Sequence, residues 1–262
     1  AASGAVRRRE DHSIDIENQR EGRYLYEWSG RELTQTSSTT YTWDPNGNMV
    51  STTDLADRYK VDMENRIYEW GDWRYRYDPF GRRVEKTDDG DYWRRCYYDG
   101  LVCIQEFETS ESPPADPVEA NDAYWTRIYG PYLIDQVLWG EYDPDSDDET
   151  TNDTFYFCLD FLGTVVMLTD DPASGDPEIQ ESYRYDEYGE AYVYSPSGAA
   201  RAGSDYEQDY LYTGRRWDPE LEFYYYRARY YHQHLGVFGG RDPAGSNPLN
   251  NAYSYVELSP LD

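Results

Sequence analysis

The sequence predicts an all-β protein built from successive β-hairpins. Three observations predict this fold class: a turn motif that recurs along the chain, tyrosines that alternate with polar residues beside it, and glycines that interrupt helical continuation. The chain of 262 residues contains 30 Tyr, and aromatic residues make up 17% of it. Because tyrosine is a favoured strand residue and a mediocre helix former, this composition suits a sheet.

The turn motif follows an aromatic run and contains Asp, often Pro, and Gly. Clear copies are "YTWDPNGN" from Tyr41, "YRYDPFGR" from Tyr75 and "YRYDEYGE" from Tyr183. Weaker copies are "YKVDMENR" from Tyr59, "YYDG" from Tyr97 and "LDFLGT" from Leu159. In the first part of the chain the motif aspartates are 18, 16 and 21 residues apart, a period that suits one hairpin per repeat.

The chemistry of the motif predicts where the hairpins turn. Asp at the first position accepts hydrogen bonds from the backbone ahead of it, Pro presets φ, and Gly tolerates a positive φ. We therefore expect turns at Asp44–Gly47, Asp78–Gly81 and Asp186–Gly189. A single hairpin is marginally stable in water, so the units must pair side by side into an extended sheet.

The most tyrosine-rich stretch is "EFYYYRARYYHQHLGVFGGRDPAG", residues 222–245. Read as a strand, it places Tyr224, Tyr226 and Tyr230 on one face and Arg227 and Arg229 on the other. An unpaired buried guanidinium is too costly, so both arginines are expected to be partly buried against a carboxylate or an aromatic ring.

Composition and charge exclude several functions. The formal charge of −28 argues against a nucleic-acid partner, because phosphate binding depends on clustered Lys and Arg. No apolar run is long enough to span a membrane. The first residues, "AASGAVRRRE", lack an initiator Met and an apolar signal core, so the chain is expected to be a fragment.

Cysteines and histidines give weak signals. Cys96 and Cys103 could face each other across a hairpin, with Cys158 left over, or all three could be small buried apolar residues. His232 and His234 would share one strand face, but no Cys or His cluster accompanies them. We expect no metal site and no cofactor, since nucleotide-binding and hydrolase fingerprints are absent from the sequence.

Several blocks carry a resemblance to a known family. The blocks are "YDPFGRRVEKTDDGDYWRRCYYDG", "DFLGTVVMLTDDPASGDPEIQESYRYDEYGE", "YLYTGRRWDPELEFYYYRARYYHQHLGVFGGRDPAG" and "NPLNNAYSYVELSPLD". They resemble the C-terminal region of RHS-repeat (YD-repeat) proteins, the RHS-associated core. The resemblance divides the chain into an N-terminal segment compatible with disorder (1–23), hairpin repeats (24–190) and the C-terminal part of the core (191–262).

The resemblance implies a hollow β-shell. Its wall is a ribbon of hairpins wound in a spiral, and the core region curls in to plug one end. Such shells enclose a C-terminal toxin or effector polypeptide of the same gene product. The implied context is further RHS repeats upstream, a delivery machinery, and a secreted or cell-surface location.

The resemblance also implies a site of aspartyl-type self-cleavage that would release the cargo. It assigns Asp242 as one catalytic carboxylate and Arg241 as its electrostatic partner. A second carboxylate is needed to share a proton, and Glu257 is the nearest candidate in sequence, followed by Asp262. The alternative is that Asp242–Gly245 is only another turn of the repeat type.

A second function class stays open at this point. Tyrosine-rich strand faces beside carboxylates also suit stacking on sugar rings, as in an extracellular carbohydrate-binding or adhesion module. Tyr224 and Tyr226 are the residues on which this alternative depends. A stand-alone hydrolase is the least supported interpretation, because no complete catalytic set is present.

Overall fold

The computed structural model describes residues 25–27, 32–35, 39–52, 59–88, 92–109, 123–132, 134–144, 153–171, 175–245 and 252–255. These residues form antiparallel strands and one short 3-10 helix, so the all-β prediction is confirmed. Within the described ranges, no helix is long and apolar enough to cross a membrane.

Thirteen consecutive strands form one antiparallel sheet in which each strand pairs with its neighbours in sequence. They are β5 (Lys60–Val61), β6 (Ile67–Trp70), β7 (Trp73–Tyr77), β8 (Arg83–Thr87), β9 (Trp93–Asp99), β10 (Val102–Thr109), β11 (Trp125–Tyr129), β12 (Val137–Tyr142), β13 (Asp153–Leu159), β14 (Val165–Thr169), β15 (Ile179–Tyr185), β16 (Ala191–Tyr194) and β17 (Ala200–Arg201). Two further pairs precede it, namely β1 (Leu25–Glu27) with β2 (Glu32–Gln35) and β3 (Tyr41–Trp43) with β4 (Met49–Thr52).

The predicted turns lie where the motif places them. In the β7–β8 hairpin, Oδ1 of Asp78 accepts the backbone N–H groups of Phe80 and Arg82 at 2.9 and 3.0 Å, and Gly81 takes a φ of 79°. The same pattern recurs at four other motif aspartates, Asp44, Asp62, Asp160 and Asp186. The aspartate therefore holds each turn by local hydrogen bonds.

The meander places alternate turns at the same edge of the sheet. The turns that join β5 to β6, β7 to β8, β9 to β10, β11 to β12, β13 to β14 and β15 to β16 all lie at one edge, which we call the turn edge. Because strands are about 4.8 Å apart, successive turns at this edge are about 9.6 Å apart.

The C-terminal segment, residues 206–245, folds differently. It contains a 3-10 helix (Tyr212–Gly214) and a four-stranded sheet of β18 (Arg216–Asp218), β19 (Phe223–Tyr225), β20 (Tyr230–His232) and β21 (Val237–Phe238). The single strand predicted across residues 223–231 is wrong. The chain reverses between β19 and β20, where Arg227 has a φ of 61° and the N–H of Tyr226 donates to the carbonyl of Arg229.

This hairpin buries both of its faces. Tyr224 and Tyr231 pack with β11 to β16 in one core cluster, around residues such as Trp125. Phe223 and Tyr225 belong to a second cluster, which includes side chains of β3, β4, β6 and β7. The C-terminal segment thus lies against one face of the thirteen-stranded sheet, and its aromatic rings fill the space between the two layers.

Candidate functional site

Asp242 heads a turn of the repeat type. Its Oδ1 accepts the N–H of Ala244 at 2.9 Å, and its carbonyl accepts the N–H of Gly245 at 3.1 Å. Gly245 takes a φ of 84°, close to the glycines of the other turns. The N–H of Asp242 donates to the carbonyl of Ala252 at 3.1 Å, which ties the turn to residues 252–255.

The other carboxylate oxygen of Asp242 faces Arg229. Their Nη2 and Oδ2 atoms are 3.3 Å apart, and the Arg229 guanidinium also lies 3.7 Å from the centroid of the Phe238 ring. Burial lowers the pKa of Arg229 below its ordinary value, and Asp242 opposes that shift. The predicted pairing of Arg229 is confirmed, and both oxygens of Asp242 are engaged.

Arg227 meets the same expectation. Its Nη2 lies 2.5 Å from Oδ1 of Asp135, a carboxylate in the turn between β11 and β12. Arg215 binds the other oxygen of Asp135 at 2.9 Å. The two arginines therefore attach the C-terminal segment to the turn edge.

Arg241 makes a contact that the sequence did not suggest. Its Nε donates to the hydroxyl of Tyr253 at 3.0 Å, and that hydroxyl donates to the carbonyl of Gly47 at 3.0 Å. Tyr253 is buried, whereas Arg241 is exposed. Arg241 thus helps to hold the turn at Asp44–Gly47 against residues 252–255. Glu257 and Asp262 lie outside the described residues.

A small pocket lies beside Arg229. It has a volume of about 20 Å³ and is bordered by Asn48, Asn65, Tyr230 and Gly240, among others. That volume suits a water molecule rather than a peptide or a sugar. Asn48 donates to Oδ1 of Asn65 at 2.8 Å, so the pocket is polar on one side.

A fully buried carboxylate, Glu106 on β10, is the centre of a charged cluster that sequence reasoning missed. It accepts from Arg127 at 2.5 Å, from Arg216 and, at 3.4 Å, from Arg94. Asp209 of the C-terminal segment also binds Arg216 and Arg94, at 2.8 and 3.0 Å. Burial would raise the pKa of Glu106, but Arg216, Arg127 and Arg94 lower it by more.

A second buried ion pair joins β8 to β18. Arg83 donates from Nη1 and Nη2 to the two oxygens of Asp218 at 2.6 and 2.7 Å, and the Tyr225 ring lies 4.6 Å from the guanidinium. Nearby, Lys86 binds Glu220 at 2.8 Å. Both carboxylates belong to the C-terminal segment, and both cations belong to the sheet. The charges therefore fix where the segment sits, because a buried ion without its partner is costly.

The three cysteines are free. Cys96 and Cys103 are buried, and Arg216 donates to the sulfur of Cys96 at 3.2 Å. A hydrogen bond with Cys103, opposed by burial and assisted by Arg216, lowers the pKa of the Cys96 thiol to about 7. The two cysteines thus lie beside the buried ion pair of Arg216 and Glu106.

Of the histidines and tyrosines named from the sequence, Tyr224 is buried, His232 and Tyr226 are partly buried, and His234 is exposed. Burial, assisted by His234, lowers the pKa of His232 to about 3, so its ring is neutral. In the part of the chain that the structure describes, no group of three or more His, Cys, Asp or Glu is placed to hold a metal ion. Tyr224 is fully buried, and the hydroxyl of Tyr226 is bonded to Thr213 and Tyr255. The carbohydrate interpretation is therefore wrong for Tyr224, and the partly buried ring of Tyr226 already packs against Tyr231, Phe238 and Tyr255.

Comparisons with known proteins place this architecture among toxins. The chain is 27% identical over 226 residues to the tRNA3(Ser)-specific nuclease WapA of Bacillus spizizenii and 26% identical to the tRNA nuclease WapA of Bacillus subtilis, in each case over 85% of this chain. It is 24% identical over 87% of its length to the double-stranded DNA deaminase toxin A of Burkholderia cenocepacia. The chain is related to RHS-type toxin proteins.

The solved structures agree with the fold. A crystal structure of TcdB2-TccC3 matches 86% of this chain with a TM-score of 0.53 and 20% identity. TcdB2-TccC3 without its hypervariable C-terminal region matches 92% of this chain with a TM-score of 0.54 and 16% identity. No protein-family model matches. The chain spans only 8% of the WapA nucleases, 17% of the deaminase toxin and 10 to 15% of these two structures.

Proposed function

We propose that this chain is part of the encapsulating shell of a toxin-related RHS protein. The C-terminal segment is the plug, and a C-terminal toxin or effector polypeptide is the cargo. One observation carries the proposal: buried ion pairs fasten the segment to the sheet at β8, where Arg83 binds Asp218, and at β10, where Glu106 binds Arg216. A plug has to stay seated while the cargo is held, and buried charge pairs resist displacement because each separated ion loses its partner.

The names of the relatives support the view that the shell and the toxic activity belong to different parts of these proteins. Three of them are named for action on tRNA or double-stranded DNA, yet this chain carries a formal charge of −28. Such a surface repels nucleic acid, so we assign those activities to parts of the relatives that this chain does not cover. One structural neighbour is described as lacking a hypervariable C-terminal region, which suits a constant shell with interchangeable cargo.

Protease protection tests the shell. The complete gene product is treated with a broad-specificity protease under native conditions, and cleavage after residue 262 is followed by mass spectrometry. A matched variant, Asp218→Leu, leaves Arg83 without its carboxylate in the interface between plug and sheet. We expect the cargo to be protected in the wild type and cut faster in the variant. Equal and immediate cleavage in both proteins, or a gene product with nothing beyond residue 262, overturns the proposal.

A second proposal is that Asp242 takes part in self-cleavage, with Arg241 near it and Glu257 as the second carboxylate. The supporting observation is that Nη2 of Arg229 lies 3.3 Å from Oδ2 of Asp242, so the carboxylate that would activate water is held in place by a cation. Asp242→Asn separates this role from a purely structural one, because Asn keeps the side-chain oxygen that accepts the N–H of Ala244 but removes the charge.

The readout is the intact mass of the gene product. If Asp242 is catalytic, the wild type is cleaved and the Asp242→Asn variant, folded as judged by its thermal transition, is not. If both are cleaved at the same bond, or neither is cleaved, Asp242 serves only as the head of its turn. A matched Asp78→Asn variant, at a turn of the same geometry, should leave cleavage unchanged.

A further inference from the structure

The turn at Asp242 differs from repeat turns in what binds the second carboxylate oxygen. In three repeat turns this oxygen, Oδ2, accepts a hydrogen bond from the side chain four residues further on, within the same turn. The pairs are Asp44 with Asn48, Asp62 with Arg66 and Asp78 with Arg82, at 2.9, 2.7 and 2.6 Å. Four residues after Asp242 the sequence has Ser246, and Oδ2 of Asp242 lies 3.3 Å from Nη2 of Arg229, in the β19–β20 hairpin. The cation at this carboxylate therefore comes from outside its own turn.

The position of the Arg229 guanidinium is set on two sides. Its central carbon lies 3.7 Å from the centroid of the Phe238 ring, and its edge faces Asp242. The side chain is only 19% exposed. Because a guanidinium is planar and rigid, a ring on its face and a carboxylate at its edge fix its direction as well as its place.

A third contact is available at the other end of the guanidinium. Nη1 of Arg229 is buried and has no hydrogen-bond partner among the residues that the structure describes. The pocket of about 20 Å³ that Arg229 borders is also bordered by Asn48, Asn65 and Gly240. A pocket of this volume holds one water molecule, and the side-chain oxygens of the two asparagines are the acceptors that such a water needs. A buried N–H without a partner is costly, so a water in this pocket stabilises the observed arrangement.

We propose that Arg229 is the positioning residue for Asp242 in self-cleavage, and that one water molecule in this pocket binds its Nη1. The inference rests on the proposed catalytic role of Asp242. The N–H of Ala244 holds Oδ1 of that carboxylate, and Arg229 holds Oδ2. A carboxylate held at both oxygens keeps one direction and still has lone pairs with which to bind a reacting water. Arg229 acts through Asp242 alone.

The rate of cleavage tests the positioning role. The complete gene product is synthesised in a cell-free system, and its intact mass is followed from the first minutes. Arg229→Gln should slow cleavage by between about tenfold and 100-fold, since small displacements of a reacting group have effects of this size. Arg229→Lys keeps the charge but not the planar fork, so its rate should lie between those of Arg229→Gln and the wild type. This order should hold although the thermal transitions of the two variants are alike, which a purely structural role does not predict.

The matched control is Arg66→Gln. Arg66 is also 19% exposed, binds the second oxygen of a motif aspartate, Asp62, and lies 4.7 Å from the centroid of the Tyr77 ring. Its substitution removes the same kind of contact at a repeat turn and should leave the cleavage rate unchanged. Equal slowing in Arg66→Gln and Arg229→Gln would assign the effect to general stability and overturn the inference.

The remaining outcomes separate this inference from the self-cleavage on which it rests. A wild type that stays intact overturns self-cleavage and the role of Arg229 together. A wild type that is cleaved, with Arg229→Gln cleaved at the same rate, overturns the role of Arg229 alone. If Arg229→Gln does not fold, Arg229→Lys decides, because a rate equal to that of the wild type contradicts the need for the planar fork.

A crystal structure of the purified chain tests the water directly. We expect one ordered water in the pocket, about 3 Å from Nη1 of Arg229. Gly240→Ala would place a Cβ 3.1 Å from Oδ1 of Asn48, so it should displace this water and slow cleavage. Gly203→Ala, where an added Cβ meets nothing within 4 Å, should do neither. An empty pocket in the wild type, or a protein atom bound to Nη1 in place of water, overturns this part of the inference.

Discussion

Arg83 and Asp218, 135 residues apart in the chain, form a two-pronged ion pair that is buried between β8 and β18. The side chains are 2% and 1% exposed, and the tyrosine rings of residues 75 and 225 lie over the guanidinium. Arg suits such a place because its planar fork matches a carboxylate and stacks on aromatic faces. The pair therefore couples the repeat sheet to the C-terminal segment.

Removing one partner of this pair should be strongly destabilising. Asp218→Leu leaves the Arg83 guanidinium buried without its carboxylate, and the expected loss in the free energy of unfolding is about 3–5 kcal/mol. The measurement is urea unfolding followed by tyrosine and tryptophan fluorescence. The control is Glu69→Gln, which breaks the exposed Lys60–Glu69 pair of the same sheet and should change little. Equal losses in the two variants would contradict a special role for the buried pair.

Stability should decrease in acid because of Glu106. Its pKa is lowered in the folded state by Arg216, Arg127 and Arg94, against the effect of burial. A carboxyl group with a lowered folded-state pKa stabilises the protein fully above its unfolded pKa of about 4.3, and this contribution is lost as the pH falls towards the folded value. Urea midpoints from pH 7 to pH 3 should decrease below about pH 5. Glu106→Gln should be less stable at pH 7 and should show a shallower acid decrease. An unchanged slope would exclude Glu106 as a source.

The turns could be predicted from sequence because their forces are local. Asp78, Phe80, Gly81 and Arg82 are neighbours in the chain, and the hydrogen bonds of Asp78 reach no further than four residues. All-β class and the hairpin period follow from the same chemistry. The motif itself thus contains the information that sets the turn.

The layer between the sheets could not be predicted in the same way. The break at Arg227 depends on a positive φ in a non-glycine residue, which tertiary contacts with Asp135 support and no local pattern indicates. Likewise, an Arg in an alternating strand signals a pairing but not its partner. Asp242 shows the limit for the candidate site. Its turn could be predicted from sequence, but its pairing with Arg229 could not, because that pairing depends on the β19–β20 hairpin.

Native-state alkylation should separate the cysteines. Cys96 and Cys103 are buried beneath the C-terminal segment, whereas Cys158 on β13 is partly exposed. Although the pKa of Cys96 is lowered to about 7, first by its hydrogen bond with Cys103, a thiol must be reached before it reacts. Iodoacetamide at pH 8 should modify Cys158 first and the other two only after unfolding in urea, as read by peptide mass spectrometry. Rapid native labelling of Cys96 would show that the segment opens readily.

Gly47 should tolerate substitution less well than Gly198, although both have almost the same backbone conformation. Their φ values are 85° and 82°, so Gly→Ala brings a similar left-handed strain at each site, about 1–2 kcal/mol. At Gly198 an added Cβ meets nothing within 4 Å, whereas at Gly47 it would lie 2.5 Å from the hydroxyl oxygen of Tyr253 and also strike Arg241.

The extra cost at Gly47 should come from Tyr253. Arg241 is exposed and has room to swing aside, but Tyr253 is buried and holds the carbonyl of Gly47. We expect Gly47→Ala to cost about 1–3 kcal/mol more than Gly198→Ala in urea unfolding. Tyr253→Phe removes the oxygen that the Cβ would strike, so it should cost less in the Gly47→Ala background than in the wild type. Additive losses would mean that the added Cβ at position 47 does not clash with the hydroxyl of Tyr253.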